Sequence, residues 1–347
     1  MKIAVYTICK NEEKFAERYV DAARDADEVC ILDTGSTDRT VEILRDCGAT
    51  VHEERIEPWR FDTARNRNLE LVSSDIDFCI CVDMDEYLTH GWRSHVERAW
   101  CPGITRLWYW YSENDGQHYF RHHKSHQRYG YKWLNIVHEQ LETDGIVENS
   151  AMCDMKIIHT PDCSKPRTQY IDLLKQHLRE CPTDHRAYLW IAIQQYKESE
   201  YQSVIQSIDR LLSLNGAADY IRSYACSIAA DACAALNERD LERQYICSAV
   251  IEDPLHRDPW LRVARYFSKL GDHHKVLQAV RAALRIDDRL YVNIADNDAW
   301  GSELYKLGAR AAIATGNNDA AKILFLNGMR VDPNDEEISM LYAEFVK

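Results

Sequence analysis

Glycine and proline are scarce, 13 and 8 among 347 residues. A collagenous or low-complexity chain needs far more of both, so neither class fits. No apolar run approaches the roughly 20 residues that span a bilayer. The start, Met1-Lys2-Ile3-Ala4-Val5-Tyr6, enters a strand pattern at once, which leaves no room for a signal peptide. Neither GxGxxG nor GxxxxGK(S/T) occurs, so dinucleotide-binding and P-loop folds lose their main support. The 12 cysteines form no CxxC pair, and Cys79 and Cys81 sit inside an apolar stretch. They read as buried thiols of a reducing cytoplasm, not a disulfide framework. Basic residues are the minority, 42 Lys+Arg against 56 Asp+Glu, for a net charge of −14. That disfavours broad nonspecific binding to nucleic acid and leaves a local basic groove open.

What is present is an ordinary globular composition, with length for one large domain or two medium ones. The first 160 or so residues alternate between two periods. Ile3–Ile8, Glu28–Leu32, Thr50–Glu54 and Phe78–Val82 read as strands. Glu12–Arg24, Thr40–Cys47 (stopped by Gly48) and Thr63–Val72 read as helices. This rhythm predicts a parallel α/β sheet, which binds ligands beyond the carboxyl ends of its strands. Past about Lys165 strand signals disappear. Helix follows helix, with connections at Glu200, Asn215-Gly216, Asn237, Gly271-Asp272 and Gly316-Asn317. The expected boundary lies between residues 164 and 165.

The strongest chemical signal is Val82-Asp83-Met84-Asp85-Glu86, at the end of a buried strand. Residues two apart on an extended chain point to one side. Asp83 and Asp85 would thus present two carboxylates together, an arrangement that is costly unless a cation joins them. Hard oxygen ligands suit Mg²⁺ or Mn²⁺ completed by phosphate oxygens and water. A second signal, Asp33-Thr34-Gly35-Ser36-Thr37-Asp38-Arg39-Thr40, follows a strand. It reads either as a well-capped turn or as a place where Asp33 meets a nucleotide base. The first strand ends alike, in Thr7-Ile8-Cys9-Lys10-Asn11-Glu12. A third, Asp62-Thr63-Ala64-Arg65-Asn66, opens a helix with an arginine that is poorly placed for the dipole and so calls for a carboxylate or phosphate partner. Trp108–Trp133 is dense in aromatic and basic residues. These suit sugar rings, nucleobases and phosphate, or else strands packing aromatics under a basic loop. His122 and His126 have metal-like spacing, but no cysteine pair follows, which argues against zinc.

Taken in order, these motifs resemble family 2 glycosyltransferases of the GT-A fold. The helical half resembles tetratricopeptide repeats: Trp260, Ala264 and Phe267, then Leu304, Gly308 and Leu324 closing at Pro333, carry that pattern best. The combination is similar to bacterial S-glycosyltransferases that modify peptides. The resemblance implies a GT-A nucleotide-sugar domain, 1–164, followed by an all-α repeat domain, 165–347. It implies an inverting, metal-dependent transfer from a nucleoside diphosphate sugar, a UDP-sugar, to a peptide, protein or glycan. Thr7, Cys9, Asn11 and Glu12 would line the nucleoside pocket, and Asp33 would meet the base. Asp62 and Arg65 would lie near the ribose, diphosphate or donor sugar. Asp83 would touch ribose or metal, and Asp85 would ligate Mn²⁺ or Mg²⁺. Glu139, in Val137-His138-Glu139-Gln140, would be the general base, with Glu113 and Asp115 as rivals. It could instead be a structural acid paired with Arg128 or Lys132. His159 would complete the metal shell, or else be a core histidine. Glycosylation of phage DNA bases, a non-catalytic repeat scaffold and nucleotidyl transfer are the alternatives. The repeats suit docking of partners or a homodimer.

Overall fold

The computed structural model describes residues 1–113, 118–162, 170–289 and 291–347. The chain divides into two compact units, Met1–Glu180 and Cys181–Lys347. The boundary expected at 164/165 lies outside the described residues.

The first unit opens with β1 (Ile3–Cys9), α1 (Glu13–Ala23), β2 (Glu28–Asp33), α2 (Thr40–Asp46), β3 (Thr50–Glu53), α3 (Phe61–Leu71) and β4 (Phe78–Cys81). It continues with β5 (Glu86–Leu88), α4 (Trp92–Ala99), β6 (Arg106–Glu113), β7 (His118–Gln127) and β8 (Tyr131–Leu134). It ends with β9 (Gln140–Thr143), β10 (Ser150–His159) and α5 (Tyr170–Glu180). β1 is apolar on both faces because both are covered. Ile3 and Val5 join a core beneath α1 and α4, while Ala4 and Tyr6 join a second core with Cys30, Cys79, Cys81 and Leu69. The amphipathic α1 contributes Ala16, Tyr19, Val20 and Ala23 to the first of these. The inward-facing thiols are free, and burial pushes Cys81 up to about 12, so they act as small apolar groups.

Eight strands form one sheet in the order β3-β2-β1-β4-β7-β6-β10-β5. Its first half is parallel, as the strand–helix alternation predicts. The second half is mixed, which corrects the all-parallel expectation: β7 runs antiparallel to both β4 and β6, and β10 lies parallel to β6. The aromatic stretch supplies these strands. Four residues separate β6 from β7, too few for a crossover helix, and the two strands pair as neighbours in an antiparallel ribbon. Two reversals return β6 and β10 to the direction of β4. The carboxyl ends of β1, β2, β4 and β10 therefore share one edge of the sheet. β8 and β9 form a separate two-stranded ribbon.

The second unit stacks helical hairpins: α6 (His185–Lys197) with α7 (Tyr201–Leu212), and α8 (Asp219–Ala235) with α9 (Arg239–Glu252). α10 (Arg257–Lys269) follows with α11 (His273–Ala283), α12 (Glu303–Ala314) with α13 (Asn318–Val331), and a final α14 (Glu336–Phe345). The four hairpin turns share one device. Ser199, Asn237, Gly271 and Gly316 all have positive φ. In each turn the next amide reaches back to the helix, as from Glu200 to Gln195 O and from Asn317 to Ala312 O. This is the six-residue closure of a left-handed helix cap. No helix among the described residues is long and apolar enough to cross a membrane.

Candidate functional site

The site is built on the carboxyl edge of the sheet. The loops after β1 and β2 are sewn together. Thr34 donates from its amide and its hydroxyl to Cys9 O, at 2.9 and 3.0 Å. Asn11, in left-handed backbone at φ 55°, accepts from Thr37 N at 2.8 Å, and its own amide donates to Ser36 Oγ at 2.8 Å. Glu12 N donates to Thr40 Oγ1 at 2.7 Å. Thr7 is fully buried, and its carbonyl accepts from Asn68 Nδ2 at 2.5 Å. Burial pushes the Cys9 thiol far up, with Asp33 beside it adding to the effect.

Asp33 is 2% exposed. Its Oδ1 accepts from Gly35 N and Ser36 N at 2.9 Å each, and its other oxygen accepts from the Ser36 hydroxyl. This is the geometry of a carboxylate shaping its own turn. Gly35, at φ +112°, is what lets the chain turn back over it.

Asp83, Met84 and Asp85 lie in a tight turn closed by Glu86 N donating to Asp83 O at 2.9 Å. The extended-chain argument for two carboxylates facing one way therefore does not describe them. The buried Met84 anchors the turn in the core, and the two acids take different partners. Asp83 accepts from Arg65 Nη2 at 2.7 Å and from Lys124 Nζ at 2.9 Å. Burial opposes its charge, yet Arg65 and Lys124 outweigh that and hold the carboxyl well below the usual range. Asp85 Oδ2 lies 3.1 Å from Nε2 of His159, the last residue of β10. Burial lowers the His159 pKa, but the bond to Asp85 prevails and raises it. The imidazole Nδ1 is buried with no hydrogen-bond partner among the described residues.

Arg65, on α3, is 5% exposed and ties three elements together. Its fork reaches Asp83, its Nε donates to Glu139, Nη1 lies 3.1 Å from Cys81 Sγ, and its plane sits 5.0 Å from the Trp133 ring. Burial lowers its pKa, but Asp83 and Glu139 outweigh that and raise it. Glu139 thus pairs with Arg65, not with Arg128 or Lys132. Arg128 donates to the Val72 and Ser73 carbonyls, and Lys132 pairs with Asp144. The β8–β9 ribbon delivers Glu139 because Asn66 bonds both ways to the Trp133 backbone, at 2.8 Å each, and Phe61 N donates to Ile136 O. Asp62 stays beside its own helix start, paired with Arg60 at 2.9 Å and accepting from Thr63 N. Of the rival bases, Glu113 ends β6, and Asp115 lies outside the described residues.

Three site residues were not singled out from sequence for these roles. Glu86 is 2% exposed, accepts from Tyr111 OH and Asp83 N, and is pushed up by burial. Lys124 stands 3.7 Å from it. The adjacency of Glu86 to the Asp-x-Asp run was the available signal. Tyr111 and Lys124 were marked only as members of the aromatic and basic stretch Trp108–Trp133, whose antiparallel pairing brings them in.

Among the described residues, no group of three or more His, Cys, Asp or Glu gathers that could hold a metal by itself. Asp85 with His159 is the pair that fits part of a shell. One carboxylate and one imidazole with an idle nitrogen suit a borderline divalent ion whose other positions are filled by phosphate oxygens and water.

Residues 4–159 match a family model described as Glycosyl transferase family 2. The chain is 32% identical over 97 residues to an uncharacterized glycosyltransferase of Rickettsia bellii (strain RML369-C), covering 28% of this chain and 32% of that protein. It is 31% identical, over the same shares, to uncharacterized glycosyltransferase RT0209 of Rickettsia typhi (strain ATCC VR-144 / Wilmington). The matched stretch is thus about a third of the length of these curated relatives. Solved structures similar to the helical half include MamA, at TM-score 0.38 and 15% identity over 48% of this chain and 89% of that one. Another is TTC0263, a thermophilic TPR protein of Thermus thermophilus, at 0.34 and 19% over 52% and 91%.

Proposed function

Since residues 4–159 match the Glycosyl transferase family 2 model, we propose that the chain moves a sugar from a nucleoside diphosphate sugar, a UDP-sugar, to a peptide, protein or glycan acceptor. The observation that carries this reading is the pairing of Asp85 with His159 at the strand edge that also holds Asp83, Arg65 and Glu139. The loops of Thr7, Cys9, Asn11, Glu12 and Asp33 line the nucleoside pocket. Asp62 and the Arg65–Asp83–Lys124 chain set the donor's diphosphate and ribose in place. Asp85 and His159 hold Mn²⁺ or Mg²⁺; when bound, the ion offsets the charge gathering on the departing nucleoside diphosphate.

Glu139 accepts the proton of the acceptor's nucleophile as that atom bonds to the anomeric carbon. The carbon–oxygen bond to the diphosphate breaks on the other side. One displacement means inversion. Arg65 holds the Glu139 carboxylate in place for that transfer.

The test is release of nucleoside diphosphate from UDP- and GDP-sugars, with release of CMP from CMP-sugars as the comparison, in Mn²⁺, Mg²⁺ or chelator. Asp85→Asn is expected to abolish metal-dependent release. Glu139→Gln should cut transfer by about 10²–10⁴-fold while donor binding by thermal shift persists. Release of pyrophosphate in place of nucleoside diphosphate, or metal uptake unchanged in Asp85→Asn, would sink the reading.

A further inference from the structure

The helical unit holds a cavity of about 240 Å³ between α8, α10 and residues 292–296. That is below the roughly 300–1,000 Å³ of small-molecule pockets, room for a side chain or a small amine and too little for a nucleotide. Its acids are unevenly matched. Asp253 pairs with His256 at 2.7 Å, and Asp296 with Arg265 at 2.8 Å. The cavity's own guanidinium, Arg262, is turned to Asp231 at 2.6 Å. Asp258 accepts the Asp296 backbone N–H at 2.5 Å and forms no ion pair among the described residues. Burial pushes its pKa up, and the bond from the Asp296 N–H and the nearby His256 only partly offset that. A carboxylate withdrawn from water without a counter-ion is costly.

A second observation points the same way. Ser223 lines the cavity and is 4% exposed, and its hydroxyl meets no donor or acceptor among the described residues. Tyr220 and Tyr224 line the same wall, and phenol rings suit a cation's face and the methylenes behind it.

We propose that this cavity binds an alkylammonium group, with Asp258 as its counter-ion and Ser223 accepting one of its protons. An ammonium carries three donors and no acceptor, which matches a carboxylate and a free hydroxyl oxygen. A lysine side chain of a bound polypeptide and a free diamine share this chemistry. The inference goes beyond the transfer reading, since the binding needs neither donor nor metal.

The experiment is calorimetric titration of the full chain, without donor. The ligands are a capped pentapeptide with lysine at its centre, its norleucine analogue, and cadaverine. The lysine peptide or cadaverine should bind at least ten-fold more tightly than the norleucine peptide. Asp258→Asn, which keeps an oxygen for the Asp296 N–H, should erase that preference, since hydrogen bonds to charged groups are the stronger class. Binding by the lysine peptide assigns the site to polypeptides; binding by cadaverine alone assigns it to free amines. Equal binding of lysine and norleucine peptides, binding of neither amine, or an unchanged preference in a folded Asp258→Asn protein would overturn the proposal. If Asp258→Asn lowers the melting temperature, the wild-type comparison of lysine with norleucine decides alone. Donor hydrolysis stays at the wild-type rate throughout, so failure here leaves the transfer reading standing.

Discussion

Arg65 shows most plainly what a single residue does in this site. Its guanidinium joins Asp83 and Glu139 in a nearly buried place, and its planar fork meets two carboxylates at once. Arg65→Met would leave Glu139 without its cation and Asp83 with Lys124 alone. We expect a loss of about 3–5 kcal/mol, read by denaturant unfolding. Arg65→Lys keeps the charge and loses the fork. It should unfold closer to wild type yet cost about a hundred-fold in kcat, with a smaller change in KM, because Glu139 is no longer held. The sequence marked Arg65, Asp83, Asp85, Glu139 and His159 as worth watching. It did not say which acid each cation would choose. Arg65 with Glu139 and Asp85 with His159 are each 74 residues apart.

At the scale of the element, the helical hairpins were legible because their determinants are local. The turns at Asn237, Gly271 and Gly316 carry residues that tolerate left-handed backbone. Ser199 does the same work without that sequence signature. Two helical glycines separate local propensity from tertiary packing. A Cβ on Gly328 would run into Ile338 and stand 2.8 Å from Tyr305 Cβ, whereas one on Gly308 would meet the methyl tips of Val280 and Leu324 at 2.9 and 3.1 Å. Both substitutions to alanine gain about 1 kcal/mol of helix propensity. Overpacking at Gly328 costs about 1–3 kcal/mol against a stem that cannot swing away. Gly328→Ala should therefore lower the melting temperature, and by more than Gly308→Ala does. The strand elements were legible by period as far as β4. From β6 onward aromatic and basic residues obscured the alternation, and the mixed pairing could not be read from it.

At the scale of the whole molecule, the helical unit carries a depressed carboxylate whose loss should be felt within that unit. Asp335 caps α14 and bonds Ser302 and Lys306, the latter at 3.0 Å. Burial opposes its charge, but Ser302 and Lys306 prevail and hold the carboxyl down to about 2, against an ordinary 3.8. A depressed carboxylate stabilises the fold above about pH 4, and that contribution, about 2 kcal/mol, disappears as pH falls from 4 through 2. Asp335→Ala should therefore destabilise α12–α14 at pH 7 and match wild type near pH 2. Hydrogen exchange is the readout: amides of α13 and α14 should lose protection in the variant, and those of β1 and β4 should not.

Sequence alone determined the strand–helix alternation, the change to helical hairpins, and the order in which candidate acids appear along the chain. These follow from side-chain period and turn chemistry, which act over a few residues. Tertiary structure alone decided that Asp83 answers to Arg65 and Lys124 and that His159 comes back to Asp85. The reason is that ion-pair partners are chosen by strand order and direction. Two antiparallel reversals in β7 and β6 set that order, and no residue near Asp85 in sequence encodes them.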